Sequence, residues 1–252
     1  MTPIADSIVN PIKPNSASDL GRIAVMVSTQ ADLSYFCQLM KMDESRFRGL
    51  FMSRLYIGDD DYRAISLAGP MIGAPYSTMV LETLIARGAK IFLFFGWCGS
   101  ISPDVRVGDI IVPESSIIDE GTSKHYKNQG RTEKKETDTL SNSSERIIRY
   151  LKIFLNQCGH QYHTGTIWST DAIFRETREK VEHYQRKNIL AVEMEISALY
   201  SVGKFRNVEV GSVLVVSDEL ATFQWRPGFN DNRFKRQRKA VCEVICSLCQ
   251  TL

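Results

Sequence analysis

Two short segments carry the residues best suited to chemistry. Ala191-Val192-Glu193-Met194-Glu195 places a carboxylate pair where a strand or loop meets a helix. Val215-Val216-Ser217-Asp218-Glu219-Leu220 places an aspartate at the end of an apolar run. An ionised carboxylate can accept from two hydroxyl groups, and a buried one holds a proton that it can deliver. In open α/β folds, ligands bind outside the carboxyl ends of the strands, where strand ends and helix starts meet at a crevice. Glu193, Glu195 and Asp218 are therefore candidate site residues.

The elements that must position them follow from periodicity. Ile196, Leu199, Tyr200, Val202 and Gly203 keep a helical spacing, and Val208 to Val216 reads as a buried strand. Upstream, strands are expected at Ile23 to Val27, Tyr62 to Ala68, Lys90 to Phe95 and Ile110 to Val112. Helices are expected from about Gln30 to Met40 and from Ser77 to Arg87, the latter closed by Gly88 as a glycine just past a helix end. Further helices are expected at 143–156, 175–187, 195–206 and 231–250. Residues 119–143 are polar and without apolar periodicity, which fits a lid, a binding loop or a disordered segment. Residues 1–20, with Pro3, Pro11 and Pro14, read as an extended N-terminal arm, and 21–252 as one domain. Strands alternating with helices predict an α/β fold with a central mixed twisted sheet flanked by helices.

Composition sets the outer bounds. The 252 residues are 43% hydrophobic and 24% charged, as in ordinary globular proteins, and the net charge of +2 gives no argument for a nucleic-acid partner. The basic stretch Arg233–Lys239 reads as a solvated helix face. No apolar run reaches the roughly 18 residues of a membrane span and no leader is visible, so a cytoplasmic location is expected. Cys242, Cys246 and Cys249 share one face of the last predicted helix and read as core residues. The four histidines, His125, His160, His163 and His183, form no credible metal-ligand set, and no metal is expected.

Five pieces in order carry a resemblance. Gly69-Pro70-Met71-Ile72-Gly73-Ala74-Pro75 precedes a helix. Gly96-Trp97-Cys98-Gly99-Ser100 is followed by Val107-Gly108-Asp109-Ile110. Then come Glu120–Tyr126, Val192-Glu193-Met194-Glu195 and Ser217-Asp218. Together they resemble the nucleoside phosphorylase superfamily of purine nucleoside and uridine phosphorylases and nucleosidases. The resemblance implies the phosphorylase/hydrolase type of α/β fold and cleavage of a nucleoside, with purine favoured, at its N-glycosidic bond. It also implies a homo-oligomer, dimer or hexamer, with no cofactor and with phosphate as the candidate co-substrate.

It implies roles as well. Glu195 would grip the ribose, with Met194 packed on the sugar and Glu193 nearby. Asp218 would be the general acid, its pKa raised by burial at the strand end. Ile173 and Phe174 lie in the segment that stacks on the base in relatives, although an apolar pair there could equally be core. Trp97, Cys98 and Gly99 would line the site. Arg48 resembles the arginine lent by a neighbouring subunit, and His125 would contact sugar or base within the oligomer. From their place after Asp218, Arg226 and Arg233 could orient the acid or bind a phosphate on the substrate itself, and Trp225–Phe229 reads as a specificity loop.

The pattern breaks at phosphate. The family's first phosphate loop carries glycine and arginine, where this chain has Ser28-Thr29-Gln30-Ala31-Asp32. Phe94 and Phe95 stand where a second arginine is common, and Trp97 where a hydroxyl residue follows the central glycine. A dianion needs donors and cations to offset its desolvation. The readings left open are a phosphorylase, a phosphate-independent nucleosidase with Asp32 activating water, and a non-catalytic nucleoside binder.

Overall fold

Every residue of β1 (Ile23–Val27) is apolar and buried, as expected for a strand covered on both faces. In the computed structural model, which describes residues 7–12, 20–62, 65–126 and 139–252, β1 lies inside an eleven-stranded mixed sheet. The elements follow as α1 (Gln30–Leu39), β2 (Arg48–Leu50), β3 (Ser53–Ile57), β4 (Ile65–Gly69), α2 (Ala74–Ala86), β5 (Ile91–Ser100), β6 (Ile110–Asp119) and β7 (Leu140–Asn142). The chain continues through α3 (Glu145–Gln157), β8 (His163–Thr170), α4 (Arg178–Gln185), β9 (Ala191–Glu193), α5 (Ile196–Arg206), β10 (Glu209–Glu219), β11 (Arg226–Pro227) and α6 (Asn232–Cys249).

Strand order is β11-β10-β6-β8-β9-β5-β1-β4-β3-β2, with β7 added to β6. Because β5 also pairs with β10, the strands β10, β6, β8, β9 and β5 close into a ring. β5 is parallel to both β1 and β10, whereas β9 runs antiparallel to it.

Alternation along β1 divides the core into two layers. Ile23, Val25 and Val27 face Leu33 and Phe36 of α1, Leu151 of α3 and Phe234, Val241 and Ile245 of α6. Ala24 and Met26 face Val80 and Leu84 of α2 and Leu199 and Val202 of α5. Cys242, Cys246 and Cys249 lie in the first layer, where burial pushes their thiols upward and neighbouring charges add to it.

The expected single α/β domain is what folds, with differences at its edges. The hairpin β2–β3 and the strands β7 and β8 were not expected. The first half of β8 is polar and only partly covered, so it lacks an apolar run. β4 begins at Ile65 because Asp60–Tyr62 forms a 3-10 turn instead of strand. α2 starts at Ala74, with Pro75 in its first turn, where a missing N–H costs nothing. Strand β6 runs on to Asp119, so the polar stretch 119–143 begins and ends in sheet, while its residues 127–138 lie outside the described residues. Most of the expected 1–20 arm, residues 1–6 and 13–19, also lies outside them. Among the described residues, no helix is long and apolar enough to cross a membrane.

Candidate active site

Strand β5 brings the two carboxylate segments together. Gly99 is paired with Val192 of β9 on one side and with Asp218 of β10 on the other. The approach is so close that a Cβ on Gly99 would lie 2.6 Å from Leu220 Cδ1 and 3.1 Å from Asp218 Oδ2. Only glycine fits there without displacing the acid. The neighbouring Cys98 thiol is fully buried and held well above its ordinary range by burial first, then by the charges of Asp218 and Glu193.

Glu193 is a helix cap. Its Oε2 accepts from the N–H groups of Glu195 (2.7 Å) and Ile196 (2.8 Å), which open α5, and its Oε1 accepts from the Ser169 hydroxyl. Those orphan amides and their dipole are what a carboxylate at a helix start satisfies. The expectation of Glu193 as a substrate ligand is corrected accordingly, because one oxygen serves the backbone of α5 and the other the Ser169 hydroxyl. Glu195 is differently placed. Its Oε1 accepts from the Gly73 N–H at 2.5 Å. Gly73, with φ +80°, turns its amide into the site as the residue preceding α2. Burial pushes both carboxyls above the usual carboxylate range, and for Glu193 the Glu195 charge adds to it. Glu195 keeps acceptor capacity for hydroxyls, and the partly buried Met194 sits between the two glutamates.

Asp218 follows a register shift between Val216 and Asp218, the kind of irregularity that re-aims a side chain at a strand end. It is half-buried rather than enclosed. Ser217 Oγ donates to Oδ1 at 2.6 Å, and Trp225 Nε1 donates to Oδ2 at 2.9 Å. Glu176, on the link into α4, is pushed up to about 7 by burial first and by the Asp218 charge second, with Lys180 opposing.

Asp32 has a different employment from the expected water activation. Oδ1 accepts from Arg238 Nε (2.9 Å) and Nη2 (2.6 Å), and Oδ2 from Trp97 Nε1 (2.8 Å) and Thr29 Oγ1 (2.7 Å). A carboxylate offers about four lone-pair sites, and all are filled. Asp32 is thus the buried half of an ion pair, which corrects that expectation. Arg238 also lies 4.5 Å from the Trp97 ring centroid. The basic stretch of α6 is therefore not wholly solvated, since Arg238 is only 15% exposed.

Residues 22–251 match the sequence profile of the Phosphorylase superfamily. The chain belongs to that superfamily. Guanosine phosphorylase of Halorubrum lacusprofundi is 26% identical over 175 residues, 69% of either chain. Two solved structures share the fold. Uridine phosphorylase of Vibrio fischeri superposes with a TM-score of 0.76 at 22% identity, over 98% of both chains. The 5'-methylthioadenosine/S-adenosylhomocysteine nucleosidase of Helicobacter pylori gives 0.72 at 20% identity, over 92% of this chain and 99% of that one.

The fold of this phosphorylase-superfamily enzyme does not gather all of its expected site residues. Arg48 is exposed on β2, the terminal strand of the sheet, far in strand order from β5. His125 lies on the 3-10 turn Ser123–Tyr126 and lines a cleft of about 1490 Å³ with Thr122, Asp171, Met79 and Phe51. Arg226 faces Glu219 at 3.7 Å, and Arg233 pairs with Asp109, so neither is the donor on Asp218. Ile173 is 51% and Phe174 97% exposed on a 3-10 turn, so neither is core. Residues that sequence reasoning did not assign are Trp225 as the donor on Asp218, Glu176, Arg238 and Ser169. Only the aromatic density of Trp225–Phe229 gave a signal.

Proposed function

We propose that this phosphorylase-superfamily enzyme cleaves the N-glycosidic bond of a purine nucleoside. The observation that carries the reading is the placement of Glu195 and Asp218 through the two neighbours of Gly99. Glu195 would accept from the vicinal ribose hydroxyls, and its grip would favour the flattened, cation-like sugar of the transition state. As the C1′–N9 bond breaks, its electron pair passes to the base, and Asp218 gives a proton to N7. An acid so placed contributes about 10²–10⁴-fold. Met194 would pack on the sugar, and Ile173 and Phe174 would cover the base from the exposed turn.

For the acceptor at C1′, one group of contacts favours water over phosphate. Where the resemblance would seat phosphate ligands, Phe94 and Phe95 are buried in the two core layers and the Trp97 indole donates to Asp32. The guanidinium at hand, Arg238, is engaged by Asp32. A dianion there would meet a carboxylate and an aromatic face, while water needs no cation. On this reading water's oxygen bonds C1′, and its proton passes through solvent to re-protonate Asp218. Arg48 and His125 would enter the site only from a second copy, which makes a dimer or larger homo-oligomer the working form.

The test is a panel of purine and pyrimidine nucleosides incubated with and without phosphate, scored for free base and sugar 1-phosphate. Purine release without phosphate is the expected result. Release that requires phosphate, with sugar 1-phosphate appearing, would overturn the choice of water. Selective release of uracil would overturn the choice of purine.

A further inference from the structure

Trp225 is a large aromatic residue left 64% exposed, yet its position is closely determined. Strand β11 folds back on β10, pairing Pro227 with Asp218 and Arg226 with Glu219. The Gly228 N–H donates to the Ser217 carbonyl at 2.8 Å, and a Cβ on Gly228 would lie 2.4 Å from Val107 Cγ1. Phe229 continues the arrangement, with its ring centroid 6.2 Å from Trp225 and 6.3 Å from Trp97. The hairpin therefore carries the Trp225 indole to Asp218 and holds it there.

The two oxygens of Asp218 are not equivalent. Oδ1 is reached by Ser217, whose residue is buried and whose hydroxyl also lies 3.2 Å from the Cys98 carbonyl. Oδ2 is reached from the exposed side, by Trp225.

We propose that Trp225 is the positioning residue for Asp218, its indole N–H fixing Oδ2 and easing loss of the proton from that oxygen to the base. This rests on the reading of Asp218 as the acid. An N–H donor strengthens the charged carboxylate and leaves the second lone-pair direction of Oδ2 for the transferred proton. The charged group beside Asp218 is Glu176 from the link before α4, and Glu219 is its neighbour along β10. Glu219 is occupied by the Val107 N–H and by Arg226. The buried Cys98 thiol faces it from β5.

Trp225→Phe keeps a ring and removes the donor, while Trp225→Gln supplies an N–H without the ring. The alkaline limb of kcat/KM for guanosine reports the free enzyme's acid. It should move up by about one pH unit in Trp225→Phe and return toward wild type in Trp225→Gln. Without substrate, a pH titration of the wild-type tryptophan fluorescence should show a transition that Trp225→Phe and Asp218→Asn both lack. Superimposable limbs in wild type and Trp225→Phe, or a transition that survives in Asp218→Asn, would overturn the inference. Asp218→Asn separates the two failures. If it retains base release, the acid reading falls. If it is inactive while the Trp225→Phe profile is wild type, only the role of Trp225 falls.

Discussion

Asp32, just beyond β1, and Asp218, at the end of β10, belong to two strands that both neighbour β5, and their surroundings differ in one decisive respect. Asp32 lies in the first turn of α1 with four donors on its two oxygens, two of them from one arginine on a helix 206 residues away in the chain. Asp218 lies at a strand irregularity, half-buried, with one donor on each oxygen and the carboxyl of Glu176 nearby. The first carboxylate is saturated and holds the α1–β5–α6 junction together. The second has lone pairs left and an exposed side. Two aspartates beside the same strand thus have opposite capacities for chemistry, and counting the donors on each oxygen tells them apart.

The sharpest way to break that contrast is to remove each acid in turn. Asp218→Asn should lower base release by about 10²–10⁴-fold while leaving the melting temperature nearly unchanged. Asp32→Asn alone would leave Arg238 buried without its counter-charge, so the informative change is Asp32→Asn with Arg238→Gln. That double variant should keep base release within about tenfold of wild type, in line with a structural pair. Activity in Asp218→Asn, or its abolition in a folded double variant, would reverse the two roles.

Stability should show the opposite ranking. Arg238→Met strands the Asp32 charge, only 2% exposed, next to Trp97. Breaking one side of a buried pair costs about 3–5 kcal/mol, and urea unfolding should read a loss of that order. A loss under about 1 kcal/mol would mean that the pair behaves as a surface contact.

What the sequence discloses follows the same division. Local patterns were legible: the apolar runs of β1, β5 and β10 and the Glu-Met-Glu at the start of α5 all have their causes within a few residues. Glu193 caps α5 through contacts within three residues of itself, so its position was legible even though its role was not. Asp32 misled because its partners lie on β5 and α6, and no window around residue 32 contains Trp97 or Arg238. Trp225 was noticed without being assigned. Its contact with Asp218 depends on β11 folding back, and Arg226-Pro227 is too short to announce itself as a strand. The exposed Ile173 and Phe174 were undecidable because an apolar pair looks the same in a core and at a site rim.

The smallest expected effect concerns Glu176, which distinguishes the surroundings of Asp218 from those of Asp32. Burial and the Asp218 charge raise its carboxyl from its ordinary 4.5 to about 7. Between those values the folded protein keeps a proton that the unfolded chain has released. Stability from this group is therefore complete below the ordinary value, falls as pH rises through the window, and levels off above about 7. Glu193 and Glu195 slope the same way, so wild type alone does not isolate the effect. Glu176→Gln does, because it removes one titration and leaves the buried pair. Allowing for the solvent that still reaches the group, the expected difference is about 1 kcal/mol, or about 2–4 °C in Tm between the ends of the window. Melting curves of wild type and Glu176→Gln across that range should diverge as pH rises, with the variant falling less. Parallel curves would mean that Glu176 and Asp218 do not share a site electrostatically, and the contrast between the two aspartates would then rest on hydrogen bonds alone.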